Sequence, residues 1–85
     1  MFHVRWSRAA LESLEALWLA ADSAGRAELT ATTNLIDGLL SAAAPTTGES
    51  RGEKHRIVFV GRFCAVYQME PDGRTASVLQ LWQAR

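Results

Sequence analysis

The sequence has few of the features that mark secreted, disulfide-rich or membrane proteins. It contains one cysteine, Cys64, so no disulfide can form within the chain, which fits a reducing compartment. No apolar run is long enough to cross a membrane, and the N-terminal residues lack the apolar core of a signal peptide. We therefore expect a cytoplasmic protein without a membrane partner.

An excess of charge is also missing. Nine Lys and Arg residues balance nine Asp and Glu residues, which argues against strong, non-specific attraction to nucleic acid. The charges are unevenly placed, because residues 1–43 carry three basic and five acidic side chains, and residues 44–85 carry six and four. A mild positive bias therefore lies in the second half of the chain.

The length of 85 residues fits a single domain, residues 1–85. A domain of this size buries roughly 60–65% of the surface of its unfolded chain, so its stability should be modest. We expect exposed apolar patches that a partner completes.

The first half of the chain predicts one strand and one helix. Residues 2–6 alternate apolar and polar side chains, which indicates a short strand. Ser7 can cap a helix that we predict over residues 8–21, where Ala, Leu and Glu dominate. Its predicted apolar stripe is Leu11, Leu14, Trp18 and Ala21, with Ala10 and Leu17 beside them.

A second amphipathic helix is predicted over residues 26–43, after a turn at residues 22–25. Pro45 ends this helix, and the short link makes the two helices an antiparallel hairpin. The predicted stripe is Leu29, Thr32 or Thr33, Ile36, Leu39, Leu40 and Ala43.

The second half predicts a loop followed by three strands. Residues 45–53 are polar and rich in breakers, so we expect an exposed, mobile loop. Tight turns at Gly61-Arg62 and Pro71-Asp72-Gly73 make the strands an antiparallel meander. The predicted strands are residues 55–60, 63–69 and 75–82.

These elements predict an α+β fold in two layers. The order is strand, helix, helix and a three-strand antiparallel meander. The helical hairpin must pack its apolar stripe on one face of the sheet, since neither layer can bury its apolar side alone. The first strand joins the sheet beside a neighbour that the sequence does not specify.

Several chemistries lack their motifs. His3, His55 and Cys64 do not have the spacing of metal ligands, and no glycine-rich phosphate loop precedes a helix. Cys64 lies in an apolar run that predicts a buried thiol. We therefore expect neither a metal nor a cofactor, and we expect the three tryptophans, Trp6, Trp18 and Trp82, to lie in the core.

A group of basic residues around the predicted hairpin is the main candidate site. Charge-assisted hydrogen bonds from such a set could bind a phosphodiester or stabilise its transition state, and Tyr67 could add a hydroxyl. A solvated sheet face with ion pairs to Glu49, Glu53 and Glu70 is the alternative interpretation. The basic residues are Arg51, Lys54, His55, Arg56, Arg62, Arg74 and Arg85.

Short motifs follow one another along almost the whole chain: Trp6-Ser7, Ala31, Ile36-Asp37-Gly38-Leu39-Leu40, Pro45, Gly48-Glu49-Ser50-Arg51, Arg56-Ile57-Val58-Phe59, Val66-Tyr67 and Val78-Leu79-Gln80-Leu81-Trp82. In this order they resemble the RelE/ParE superfamily of small toxins from bacterial type II toxin–antitoxin systems. The resemblance implies a two-layer fold. It also implies a cognate antitoxin that wraps the toxin with a short amphipathic segment, so that the two form a hetero-oligomer.

The resemblance leaves the activity open. RelE-like members cut messenger RNA on the ribosome, ParE-like members poison DNA gyrase without being nucleases, and some members have no demonstrated toxicity. The chain departs from the nuclease pattern in its zero net charge, in Gln83 at a position where a histidine often stands, and in ending at Arg85. For a nuclease site the resemblance implies Arg51, Lys54, Arg56, Arg62 and Arg85, with Lys54 or His55 as the proton acceptor.

Overall fold

The computed structural model describes residues 1–52 and 54–84, and it has the α+β architecture that the sequence predicts. Two helices precede a run of short strands, with one additional strand at the N-terminus. The elements are β1 (His3–Trp6), α1 (Arg8–Ala20), α2 (Ser23–Ala43), a 3₁₀ turn (Ala44–Thr46), β2 (Glu49–Arg51), β3 (His55–Val60), β4 (Phe63–Met69) and β5 (Thr75–Gln83).

The strands form one mixed sheet in the order β1-β5-β4-β3-β2. The predicted antiparallel meander of β3, β4 and β5 is confirmed, and two of these strands have the predicted bounds. Strand β1 pairs in parallel with β5, with Val4 opposite Ala76, which identifies the neighbour that the sequence left open.

The predicted loop over residues 45–53 is wrong in part, because β2 lies inside it. Glu49 pairs with Ile57 and Arg51 with His55 in antiparallel register. All three β2 side chains are exposed, so the strand has no alternation of buried and exposed positions that a sequence pattern could reveal. Backbone pairing with β3 forms it, and Glu53 lies outside the described residues.

Both helices begin at capping residues. The Ser7 hydroxyl accepts from the amide of Ala10 at 3.1 Å, which confirms the predicted start of α1. The Asp22 carboxylate accepts from the amide of Gly25 at 2.8 Å, so α2 begins at Ser23, three residues before the predicted start. The predicted turn at residues 22–25 is therefore mostly the first turn of α2.

Both helices contribute to one hydrophobic core on the same face of the sheet, as predicted. Leu29, Thr32, Ile36 and Leu40 of α2 are buried, which confirms most of the predicted stripe of this helix. The buried sheet residues of this core are Val58, Phe63, Ala65, Tyr67, Ala76, Val78 and Leu81.

The predicted stripe of α1 is partly wrong. Leu11 and Trp18 are 52% and 39% exposed, and Leu39 of α2 is 42% exposed. The residues of α1 and its C-cap that pack on the core are Ala10, Leu14, Leu17 and Ala21. Helix α1 is apolar around much of its circumference, so its sequence allows more than one stripe. No helix in the described part of the chain is long and apolar enough to cross a membrane.

The tryptophans do not share one environment. Trp6 packs against the core and its indole nitrogen donates to Asp37 at 2.8 Å, which ties β1 to α2. Trp18 and Trp82 are 39% and 38% exposed, so the prediction of a core position is wrong for these two. The predicted burial of Cys64 is confirmed.

The face of the sheet opposite the helices is here called the open face. One row across it consists of Phe59, Cys64 and Trp82, which are neighbours in the β3–β4–β5 register. A second, polar row crosses all five strands through Arg51, His55, Gln68, Ser77 and Arg5.

Candidate functional site

A surface pocket of about 620 Å³ lies where β2, β3 and β4 meet the turn before β5. Three residues of the predicted basic group, Lys54, His55 and Arg56, line it. Its other lining residues are Pro45, Ser50, Gln68, Met69, Glu70 and Pro71. The pocket therefore combines an ammonium, an imidazole, a guanidinium and a hydroxyl with one carboxylate, which can bind an anion and transfer a proton.

His55 and Arg51 are neighbours on the open face, because they are paired in the β2–β3 register. Both are exposed. Arg51 makes a long ion pair with Glu49 at 3.7 Å, and both side chains are more than half exposed, so water screens the attraction. The Arg51 charge therefore remains accessible to an anionic ligand.

Arg56 lies on the opposite side of β3, on the face that the helices cover. It pairs with Tyr67 on one side and with Ser50 on the other. Its guanidinium donates to the carbonyls of Thr47 at 2.8 Å and Gly48 at 2.9 Å. Arg56 thus holds the segment between the 3₁₀ turn and β2 against the sheet.

Tyr67 of β4 holds the same segment through its hydroxyl. Its side chain is fully buried, and its hydroxyl contacts the carbonyls of Ala44, at 2.7 Å, and of Thr47. Burial raises the pKa of the Tyr67 hydroxyl, and the nearby Arg56 guanidinium opposes that rise. The hydroxyl therefore remains protonated at neutral pH and acts as a hydrogen-bond donor.

Arg62 lies at the far end of the β3–β4 hairpin from the pocket. The five steps along β3 from His55 to Val60 span roughly 16 Å at about 3.3 Å per residue. The Arg62 guanidinium makes a two-pronged pair with Glu28 of α2 at 2.5 and 3.0 Å. Its hydrogen bonds lower the pKa of the Glu28 carboxyl, and the same pair raises the pKa of Arg62.

The structure thus brings part of the predicted basic group together. Arg51 ends β2 and pairs with His55, Lys54 and Arg56 flank His55 at the start of β3, and Arg62 does not join them. Arg85 lies outside the described residues. Arg74 follows the Asp72 turn, where its amide donates to the Asp72 carboxylate at 2.8 Å. The assignment of these residues as catalytic stays a prediction.

Sequence reasoning missed two residues near these side chains. Ser50 lines the pocket together with Glu70, which the alternative interpretation had named, and Glu28 holds Arg62. Ser50 lies in β2, which the sequence did not reveal. Glu28 pairs with a residue 34 positions away, a separation across which sequence spacing carries no signal. Only the folded register brings these groups together.

Large apolar side chains are also exposed at separate places, on the two helices and on the open face of the sheet. Leu35 of α2 is 56% exposed, Leu19 of α1 is 70% exposed, and Phe59 of β3 is 52% exposed. Among the exposed positions of α2 from residue 27 to residue 42, none is charged. Single exposed apolar side chains are common on soluble domains, whereas a contiguous apolar patch marks an interaction surface.

The fold matches solved structures, although no protein-family model and no curated protein matches the sequence. A chain of the chromosomal ParDE TA system from P. aeruginosa superposes with a TM-score of 0.81 at 17% identity, covering 100% of this chain and 98% of that one. A chain of the toxin–antitoxin complex RelBE2 from Mycobacterium tuberculosis gives a TM-score of 0.75 at 20% identity, covering 96% of each chain.

The isolated E. coli RelE toxin gives a TM-score of 0.65 at 17% identity, covering 100% of this chain and 86% of that one. Identities this low establish the fold. The two-layer architecture implied by the resemblance is therefore confirmed, and the chain has the fold seen in the RelE and ParDE structures.

Proposed function

We propose that this protein is the toxin component of a type II toxin–antitoxin module and acts in the cytoplasm. The observation that carries the proposal is the fold match, which extends over all of this chain and 98% of a chain from a ParDE system. Two of the similar structures, RelBE2 and E. coli RelBE, are described as toxin–antitoxin complexes. The match extends over almost the whole length of both chains, so the similarity is not limited to one shared segment.

The proposed partner is a cognate antitoxin that forms a hetero-oligomer with the toxin. The exposed apolar residues of α1 and α2, such as Leu19 and Leu35, support this proposal, since burying apolar side chains favours association. We expect the product of the adjacent small reading frame to co-purify with this protein at a fixed stoichiometry. Separate elution of two soluble, folded products would contradict it.

A growth assay tests the toxin assignment itself. Induced expression should arrest growth, and co-expression of the adjacent gene should restore it. Induction of a variant that does not fold provides the control for the burden of expression. Harmless induction of the folded protein would favour a non-toxic member that only binds an antitoxin.

The first candidate activity is ribosome-dependent cleavage of messenger RNA. In this proposal Lys54 or His55 accepts the proton of a ribose 2′-hydroxyl, and Arg51 and Arg85 bind phosphate. Arg56 and Arg62 bind it only by leaving the backbone carbonyls and the Glu28 carboxylate that hold them. The support is the pocket that Lys54, His55 and Arg56 line. Cleavage of messenger on translating ribosomes should fall at least about tenfold in Lys54→Ala or His55→Ala. Because both residues are exposed, these variants should fold normally.

The second candidate activity is inhibition of DNA gyrase. Arg56 and Arg62 are engaged by backbone carbonyls and by Glu28, which leaves fewer cations for RNA phosphates. A supercoiling assay with purified gyrase would then show inhibition that Lys54→Ala does not relieve. Inhibition of supercoiling together with intact messenger would select this activity, and the reverse pattern would select the nuclease.

A further inference from the structure

Strand β2 forms one edge of the sheet, and its outer side has no strand beside it in the described part of the chain. The strand is Glu49-Ser50-Arg51, and all three side chains are exposed. An unpaired edge presents backbone donors and acceptors to any strand that fits it. In an antiparallel pair of two such strands, Glu49 of each copy would stand opposite Arg51 of the other, so the charges of the strand can pair with those of an identical strand.

The direction of the backbone groups follows from the hairpin register. Val60 and Phe63 close a two-residue turn, and the closing pair of such a turn exchanges both backbone hydrogen bonds. Alternation along β3 then directs the backbone groups of Ile57 and His55 towards β2. The backbone amides and carbonyls of their partners Glu49 and Arg51 point towards β3. Those of Ser50, the residue between them, therefore point to the open edge.

We propose that β2 pairs with β2 of a second copy of this chain in antiparallel register about a two-fold axis at Ser50. The two Ser50 residues then exchange two backbone hydrogen bonds. Glu49 of each copy lies directly opposite Arg51 of the other, at non-hydrogen-bonded positions where opposing side chains are closest. The result is a ten-stranded sheet that extends across the two molecules.

Charge complementarity distinguishes this occupant from others. Within one copy the Glu49 and Arg51 side chains are 3.7 Å apart and exposed, which is a weak ion pair. Both charges can therefore also pair with charges of a second copy. The Arg51 guanidinium contacts the carbonyl of Ser50 at 3.4 Å, a distance too long for a strong hydrogen bond, so pairing would displace little. In an antiparallel pair the motif Glu-Ser-Arg matches itself and leaves no charge unopposed.

The other edge of the sheet does not have this property. Strand β1 carries His3 and Arg5 and no acidic residue, so self-pairing there would bring basic groups together. Its neighbourhood is also occupied, because the Trp6 indole donates to Asp37 and the Phe2 amide donates to the carbonyl of Ser41. Self-pairing is therefore expected at β2 alone, and it does not require the proposed toxin function.

Sedimentation or light scattering over a concentration series tests the proposal on the full chain. We expect a weak dimer whose fraction rises with concentration and falls with salt, since the interface is small and charged. In the dimer of Glu49→Arg, an arginine at position 49 of each copy would face Arg51 of the other. This repulsion occurs twice and should weaken dimerisation roughly tenfold or more. Arg51→Glu should have the same effect.

An equimolar mixture of the two single variants is the decisive measurement. The strands Arg-Ser-Arg and Glu-Ser-Glu are complementary, so the mixture should form a heterodimer while each variant alone stays monomeric. The double variant Glu49→Arg/Arg51→Glu should dimerise like the wild type. Glu12→Arg on the exposed face of α1 repeats the charge change away from the edge and should leave dimerisation unchanged.

Ser50→Pro separates backbone pairing from simple charge attraction. Proline is tolerated on an edge strand where the amide faces outward, but it removes the donor that the second strand needs. We expect a folded monomer. A wild-type chain that stays monomeric at millimolar concentration, or a dimer that survives both Ser50→Pro and Glu49→Arg, would overturn the proposal. Pairing of β2 only with an added partner protein would also overturn it.

Discussion

Replacement of Arg56 by alanine should cost the protein stability. The guanidinium donates to two backbone carbonyls, Thr47 at 2.8 Å and Gly48 at 2.9 Å, in the segment that leads into β2. Arg56 is only partly exposed, so water cannot replace both donors with equal geometry. The variant therefore removes two hydrogen bonds that join this segment to β3.

The size of the loss follows from the geometry. A hydrogen bond that involves a charged group contributes about 1.5–3 kcal/mol net. The two bonds share one side chain and lie partly in solvent, so their contributions should not add in full. The free energy of unfolding should therefore fall by about 2 kcal/mol. For a domain of this size, about 1 kcal/mol corresponds to roughly 4–8 °C, so Tm should fall by about 8–16 °C.

Urea and thermal unfolding followed by tryptophan fluorescence provide the measurement. Lys54→Ala is the matched control, because Lys54 is exposed and lies two residues away, and its free energy of unfolding should change by less than about 0.5 kcal/mol. The reasoning is refuted if Arg56→Ala unfolds at the same urea midpoint as the control. Such a result would mean that the two carbonyls do not hold the Arg56 guanidinium, which would then be available to an anionic ligand.

Tyr67 provides a second check on the same anchor. Its hydroxyl also contacts the carbonyl of Thr47, so Tyr67→Phe and Arg56→Ala act on one acceptor. Because the two donors share that acceptor, the double variant should not lose the sum of the single losses, and the coupling should be at least about 0.5 kcal/mol. Additive losses would show that the two side chains stabilise different parts of the segment.

Three further predictions concern other positions. Gly48→Ala should destabilise the protein by at least about 1 kcal/mol more than Gly52→Ala in urea unfolding. Both glycines have positive φ, but a Cβ at Gly48 would lie 2.3 Å from the carbonyl oxygen of Ile57, whereas a Cβ at Gly52 meets nothing within 4 Å. Hydrogen bonds lower the pKa of Asp72, the first from the amide of Arg74, so its stabilising charge is present above the unfolded pKa and is lost as pH falls through the folded pKa. The stability advantage of the wild type over Asp72→Asn should therefore be present at neutral pH and disappear in acid; an advantage that persists in acid would contradict it. Burial raises the pKa of the Cys64 thiol, so a thiol reagent at neutral pH should label it only after unfolding, and rapid labelling of the native protein would contradict the buried position.

Local signals predicted most of the fold. The Ser7 cap, the bounds of β3 and β4, and the turn residues between strands depend on near neighbours in sequence, and the structure confirms them. Asp22 carries the same capping signal for α2, but a run of Asp, Ser, Ala and Gly is equally typical of a turn. In the structure Gly25 lies in the first turn of the helix.

Features that depend on tertiary structure were beyond the sequence pattern. Strand β2 has three exposed side chains and exists through its pairing with β3. The rotation of α1 about its axis, which exposes Leu11 and Trp18, depends on how the helix meets β5. Periodicity shows that a helix is amphipathic, but it specifies the buried face poorly when most of the surface is apolar.

The candidate site shows the same limit with more consequence. In sequence, Lys54, Arg56 and Arg62 are equivalent cations near one hairpin. In the fold, Arg56 faces the helices and holds backbone carbonyls, and Arg62 is neutralised by Glu28. In a chain of zero net charge, positive potential persists only where cations lack close carboxylates. Near the pocket, Lys54 and Arg51 are exposed, so an anionic target can reach them there, but Glu70 lines the same pocket and reduces its net positive charge.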